Sequence, residues 1–177
     1  MNPWWQQVGN IIVAEFSDLA DPVQFTRVVL RLLVAALLGG LLGWERESQG
    51  KAAGVRTHML VAMGAALFVL VSQQIGMGAE DMSRVIQGII AGVGFLCAGT
   101  IIKGHARLDD VQGLTTAAGL WLTAAVGVAA GLGRESTAVL GTLLALAVLL
   151  LVPVVLKATA KPSPLITSET QDVKKKQ

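Results

Sequence analysis

Residues 137–156 read Thr-Ala-Val-Leu-Gly-Thr-Leu-Leu-Ala-Leu-Ala-Val-Leu-Leu-Leu-Val-Pro-Val-Val-Leu, an unbroken run without a charged side chain. At about 1.5 Å per residue a helix of this length crosses a hydrocarbon core about 30 Å thick. In lipid every backbone N–H and C=O must be bonded within the segment, so a helix is the structure such a run adopts. Pro153 lies near its end and is expected to kink or fray the last turn.

Moving outward from this span, four more apolar runs are long enough to cross, some with polar ends: Leu114–Leu132, Val85–Ile102, Met59–Ile75 and Phe25–Trp44. Arg27 and Arg31 near the start of the first have stems long enough to snorkel to the interface, and Ser72, Gln73 and Gln74 close the second. Before them, Trp4, Trp5, Val8, Ile11, Ile12, Phe16 and Leu19 recur at helical spacing within 3–19, which predicts an amphipathic helix lying in the interface. The expected fold class is therefore all-α: a polytopic membrane protein with a bundle of five transmembrane helices preceded by an interfacial helix. Residues 1–24 form the amphipathic segment, 25–157 the transmembrane domain, and 158–177 a polar, disordered cytoplasmic tail. A chain with 53% hydrophobic and 15% charged residues agrees with this.

Orientation follows from the Lys/Arg distribution. With the N-terminus outside, the outer segments carry Arg27, Arg31, Arg84 and Arg134, and the inner ones carry the other ten of the 14 Lys and Arg residues. The positive-inside rule then predicts the N-terminus outside and the C-terminus in the cytoplasm of a bacterial-type inner membrane. No basic n-region precedes the first apolar run, so no cleaved signal peptide is expected. A net charge of +2 gives no reason to expect a nucleic-acid partner; the expected partners are the lipid bilayer and another membrane protein or a second copy of the chain. Cys97, the single cysteine, lies in an apolar run and reads as a small buried residue.

Three small-x-x-x-small pairs, Gly39/Gly43, Gly88/Gly92 and Gly127/Gly131, are expected to let helices pack at close range, the alternative being mobile helices or a conducting path. A weak internal repeat aligns Gly54-Val55-Arg56-Thr57 and Ala65-Ala66 with Gly113-Leu114-Thr115-Thr116 and Ala124-Ala125. Parallel hairpins and chance similarity account for it equally.

The polar residues concentrate in two inner loops, 43–58 and 103–116. Glu45, Arg46 and Glu47 offer either two carboxylates for a hard cation such as Mg²⁺, which takes oxygen ligands, or a salt-bridge network with Arg56, Lys103 or Arg107; the network is favoured. Asp109 and Asp110 read as solvated loop or as part of the same cluster. Lys51, Arg56, Thr57, Thr115 and Thr116 stand where the second and fourth spans begin. Free backbone N–H groups there suit an anion or a carboxylate, and the threonines suit helix caps. His58 and His105 are a weak metal signal. Thr100 and Thr123 are positioned to bond back to their own helices. No nucleophile–base pair, zinc motif or phosphate-binding glycine loop is present, so no enzyme activity and no cofactor are expected, Mg²⁺ aside.

Gly43-Trp44-Glu45-Arg46-Glu47, then Gly50-Lys51-Ala52-Ala53-Gly54-Val55-Arg56-Thr57-His58, then the run from Gly92 to Ile102, then Val111-Gln112-Gly113-Leu114-Thr115-Thr116-Ala117-Ala118-Gly119-Leu120-Trp121, resemble the membrane domain of the MgtC/SapB family over about residues 28–133. The resemblance implies a bacterial inner-membrane protein linked to magnesium limitation and to survival inside host cells. In the best-known member it implies regulation of the F-type ATP synthase rather than magnesium transport. The better-known members carry a soluble domain after the last helix, whereas this chain has a short tail, like the SapB-like members. Cys97 stands where glycine is usual, and Gln112 where arginine is frequent. The expected function is regulation of a membrane partner, the alternative a transporter or channel subunit for Mg²⁺ or another small solute.

Overall fold

A computed structural model of the chain describes residues 3–17, 21–102 and 112–159. The described residues form six helices: α1 (Trp4–Glu15), α2 (Pro22–Ser48), α3 (Val55–Gln74), α4 (Ala79–Ile102), α5 (Leu114–Gly131) and α6 (Glu135–Thr159). Helices α2 to α6 are each long and apolar enough to span a membrane, so the all-helical, five-span architecture expected from the sequence is the fold. The chain divides into two units, 1–144 and 145–177. The described part of the second is the closing stretch of α6, which continues through Pro153 to Thr159. Leu19, the loop bearing Lys103, His105, Arg107, Asp109 and Asp110, and the tail from residue 160 lie outside the described residues.

Helix boundaries follow from local chemistry. Pro22 takes the first position of α2, and the Asp21 carboxylate accepts hydrogen bonds from the N–H groups of Val23 at 3.1 Å and Gln24 at 3.3 Å, a proline start with a side-chain cap. The helix then runs past the expected end at Trp44 to Ser48, because neither glycine nor proline intervenes and Glu and Arg are good helix formers. Glu45, Arg46 and Glu47 are therefore on the last helical turns of α2, not in a loop. Similarly, Arg56, Thr57 and His58 belong to α3, and α4 starts at Ala79 with Glu80 and Asp81 favourably placed in its first turn. Helix α1 is shorter than expected, and none of its residues is buried.

Helices α2, α3 and α5 make the core through glycine. A Cβ on Gly39 would stand 2.7 Å from the His58 carbonyl oxygen and 2.9 Å from Ala62 Cβ, and one on Gly43 2.6 Å from Val55 Cα. On the other side of α3, a Cβ on Gly127 would lie 2.9 Å from Ala62 Cα and one on Gly131 2.7 Å from the Ala66 carbonyl oxygen. Backbones thus meet where only hydrogen fits. The third glycine pair behaves differently. Nothing lies within 4 Å of a Cβ on Gly88 or Gly92, and both line an open apolar groove of about 470 Å³ with Gly64, Phe68 and Ile89. Their expected packing role is not found among the described residues, because α4 meets its neighbours with Ile89, Val93 and Cys97, against Ala65 and Ala124. The Cys97 thiol adds a contact to the Ala117 carbonyl at 3.1 Å. Thr100 and Thr123 bond back to Cys97 and Gly119 of their own helices.

Leu30, Leu33, Leu37, Leu41 and Trp44 recur at three- and four-residue intervals along α2 and are all exposed. An apolar stripe of this length facing outward suits lipid or another helix.

Where α3 and α5 end, Arg31 turns inward instead of reaching to the interface. Its Nη1 donates to Gln73 Oε1 and to the Gly131 carbonyl, both at 2.8 Å, and its Nε lies 3.8 Å from Glu135 Oε1. The guanidinium fills the space beside Gly133, whose φ of +76° already favours glycine. One side chain thus ties α2 to the ends of α3 and α5 and the start of α6. Hydrogen bonds from a charged group contribute about 1.5–3 kcal/mol each, so Arg31→Ala is expected to destabilise the detergent-solubilised protein by about 2–4 kcal/mol. Arg84→Ala, which removes only an exposed pair with Glu80 at 3.5 Å, should change little. Coincident unfolding midpoints for the two variants would contradict the tie.

Candidate functional site: a polar rim

At the opposite rim, α2 ends and α3 and α5 begin. Arg46 Nε donates to Glu45 Oε2, and both side chains are only 5% exposed. The ion pair is therefore within α2; of the expected network partners, Arg56 does not join it, and Lys103 and Arg107 lie outside the described residues. His58 enters from α3, fully buried; its Nδ1 lies 2.9 Å from the Gly54 carbonyl. Gly119 of α5 faces the other ring nitrogen: a Cβ there would stand 3.7 Å from Nε2. Both Glu45 and Arg46 act electrostatically on His58. These three residues form one buried polar group at the junction of α2 and α3, closed by α5.

Glu47 has a separate task. Its Oε2 accepts a hydrogen bond from the Val55 N–H at 2.9 Å, capping α3 from the helix before it. Gly54 makes this possible, since a Cβ there would collide with the Glu47 carboxylate. The caps expected from threonine are not found: Gly54 and Gly113 hold the N-cap positions, and Thr57, Thr115 and Thr116 lie inside their helices. Gly113 has φ of +90°, and a Cβ on it would stand 2.6 Å from the Thr100 carbonyl oxygen, so the chain turns into α5 where no threonine fits. Loss of a cap costs about 1 kcal/mol. Glu47→Ala is expected to lower stability by about that much and to speed amide exchange in the first turn of α3; unchanged exchange at Val55 would count against the cap.

Between these elements opens a cleft of about 770 Å³, lined by Lys51, Thr57, Thr100, Gln112, Thr116 and the backbone around Gly50 and Gly113. Its lining carries a cationic side chain and hydroxyls, and the N-terminal ends of α3 and α5 border it. Arg56 and Thr115 are exposed on the first turns. Of the residues singled out from sequence, Glu45, Arg46 and His58 therefore come together in the interior, and Lys51, Thr57 and Thr116 come together in the cleft. Asp109 and Asp110 lie outside the described residues. Glu45 and Glu47 engage different partners, and no group of three or more His, Cys, Asp or Glu residues gathers among the described residues. The Arg31 cluster was missed, although Gln73 and Glu135 at the ends of neighbouring spans were the available signal.

Five helices long and apolar enough to span a membrane, with one polar rim and buried ionic residues at its edge, define a multi-pass membrane protein. The chain belongs to the MgtC family, which matches it over residues 32–158. It is 40% identical over 131 residues to the Putative magnesium transporter YhiD of Escherichia coli, an alignment covering 68% of this chain and 58% of that protein. It is 43% identical over 122 residues to Protein SrpB of Synechococcus elongatus, covering 63% and 67%. With Protein MgtC of Brucella abortus the identity is 48% over 114 residues, covering 64% of this chain and 46% of the relative. The chain thus spans about half to two thirds of the length of these relatives. No solved structure matches it.

Proposed function

We propose that this protein sits in a bacterial inner membrane, N-terminus outside and C-terminus in the cytoplasm, and regulates another membrane protein by docking it at the polar rim. In this view it is not an enzyme, and its physiological setting is magnesium limitation or life inside a host cell. The observation that carries the proposal is the separation of the ionisable groups. Glu45, Arg46 and His58 lie at one end of the core and Arg31 at the other, while Ala62, Ala66, Val69, Leu120, Ala124 and Val126 fill the space between. Helices α2, α3 and α5 also touch backbone to backbone along that stretch. A transport path through a bundle usually places ionisable groups within it, and this core has neither the groups nor the room. The rim cleft, by contrast, suits a carboxylate-bearing segment of a partner: Lys51 supplies charge, and the N-terminal ends of α3 and α5 supply N–H dipoles.

Site-specific photocrosslinking from Thr57 in intact inner membranes tests this. One defined membrane protein should be crosslinked, and Lys51→Glu should reduce the yield about tenfold by placing like charge against the docking carboxylate, a change of about 1.4 kcal/mol. Equal yield with Lys51→Glu would refute docking at the cleft.

The name of the E. coli relative favours a second reading, a subunit that moves Mg²⁺. Since the core of one chain is closed, a path would run between copies, with the open Gly88/Gly92 groove of α4 as one wall. Mg²⁺ uptake into proteoliposomes containing only this protein separates the two: uptake above empty vesicles removes the regulator-only reading, and its absence removes the transporter.

A further inference from the structure

The buried rim group contains two polar atoms with no hydrogen-bond partner, Glu45 Oε1 on α2 and His58 Nε2 on α3. Their residues are 5% and 0% exposed, so bulk water does not satisfy them. An orphaned buried polar atom costs about 1–3 kcal/mol, and native interiors leave few of them.

The chemistry of the pair specifies what is missing. The Gly54 carbonyl beside His58 Nδ1, at 2.9 Å, can only accept a hydrogen bond, so Nδ1 must carry the proton. In neutral imidazole the other nitrogen then presents a lone pair. Glu45 Oε1 is likewise an acceptor, because it is the second oxygen of a carboxylate whose first oxygen pairs with Arg46. Two acceptors from two helices, both sealed in, call for a donor.

From this geometry we infer that Glu45 and His58 form a buried site for one water molecule, a small hydrogen-bond donor that joins α2 to α3 beneath the rim. A transition metal is a poorer occupant. Two ligands fall short of the four that zinc takes in a closed site, and the Arg46 guanidinium on the same carboxylate repels a cation. A water donates to both acceptors and adds no charge. A proton shared directly is ruled out, since no ion pair joins His58 to Glu45 and neither atom reaches the other as a hydrogen-bond partner. Among the described residues, the charged groups bearing on His58 are Arg46 and Glu45 from α2. From α5 the neighbour is Gly119, and the buried side chains nearby on that helix, Thr116, Ala117, Leu120 and Thr123, carry no charge. The inference stands independently of the docking proposal, since it concerns the interior and not the cleft.

The sequence has only two histidines, which makes the test direct. Protein labelled with ¹⁵N-histidine and reconstituted in lipid nanodiscs gives two imidazole spin systems, and His105→Gln assigns the remaining one to His58. The expected result is a protonated Nδ1, with Nε2 shifted away from the position of a free lone pair. With water as the donor, the neutral Nδ1–H tautomer persists at mildly acidic pH with its Nε2 still shifted. Protonation of both nitrogens at mildly acidic pH would overturn the water. An Nε2–H tautomer, or an Nε2 signal at the free lone-pair position throughout, overturns the assignment.

Discussion

Glu45→Ala is expected to cost about 3–5 kcal/mol of stability, because it strands Arg46 in the interior. Both side chains are 5% exposed, and the Arg46 guanidinium donates to the Glu45 carboxylate. Removing the carboxylate leaves a charge that water cannot reach from its present position, so the guanidinium must pull out of the α2–α3 seam or remain unpaired. A well-packed apolar replacement of both partners behaves differently, since the desolvation cost of two charges disappears along with their attraction. The Glu45→Leu, Arg46→Met double variant should therefore be markedly more stable than Glu45→Ala. Unfolding midpoints of the detergent-solubilised proteins decide the matter: a single variant as stable as wild type, or a double variant worse than the single, would show that the pair is not the buried unit described. The double variant also separates stability from function, because it keeps Lys51, Thr57 and the cleft intact.

The five spans were legible in the sequence because lipid leaves a helix no choice once about twenty apolar residues follow one another. The rim was legible as a cluster but not as an arrangement. Hydropathy ended the first span at Trp44, since charge resembles a loop, whereas the backbone has no reason to stop before Gly50, whose φ is +66°. Arg46 stands seven residues after Gly39 and three after Gly43, on the face that meets α3, so helical spacing alone would have turned it inward. Arg31 was read as snorkelling for a similar reason. Its inward course depends on Gln73, Gly131 and Glu135 arriving together from three other helices, a coincidence of tertiary structure that no local pattern carries. Threonine caps were expected from residue type, yet glycines hold both positions, because the Glu47 carboxylate and the Thr100 carbonyl approach too closely for any side chain there.

The glycine pairs show most sharply what sequence spacing leaves open, and they give the second large effect. Gly88/Gly92 and Gly127/Gly131 have the same spacing, but only the latter faces a helix of this chain at backbone contact. Gly127→Leu would push its Cβ into the Ala62 backbone, where neither neighbour is the far end of a flexible side chain, so α5 must separate from α3. Overpacking of this kind typically costs about 1–3 kcal/mol and occasionally more. Here it acts on the helix that holds the core together, and the expected outcome is at least the upper end of that range or loss of a monodisperse protein. Gly88→Leu places the same side chain in the open groove beside Gly64 and Phe68, where nothing in the chain resists it, and the fold should survive. Size-exclusion profiles and thermal midpoints of the two variants in detergent provide the comparison. If both glycines prove equally intolerant in isolated chains, the open face of α4 is wrong. If Gly88→Leu folds normally but loses flux or crosslinking in the membrane, the groove is where a further helix belongs, because a leucine there fills the space that helix would need.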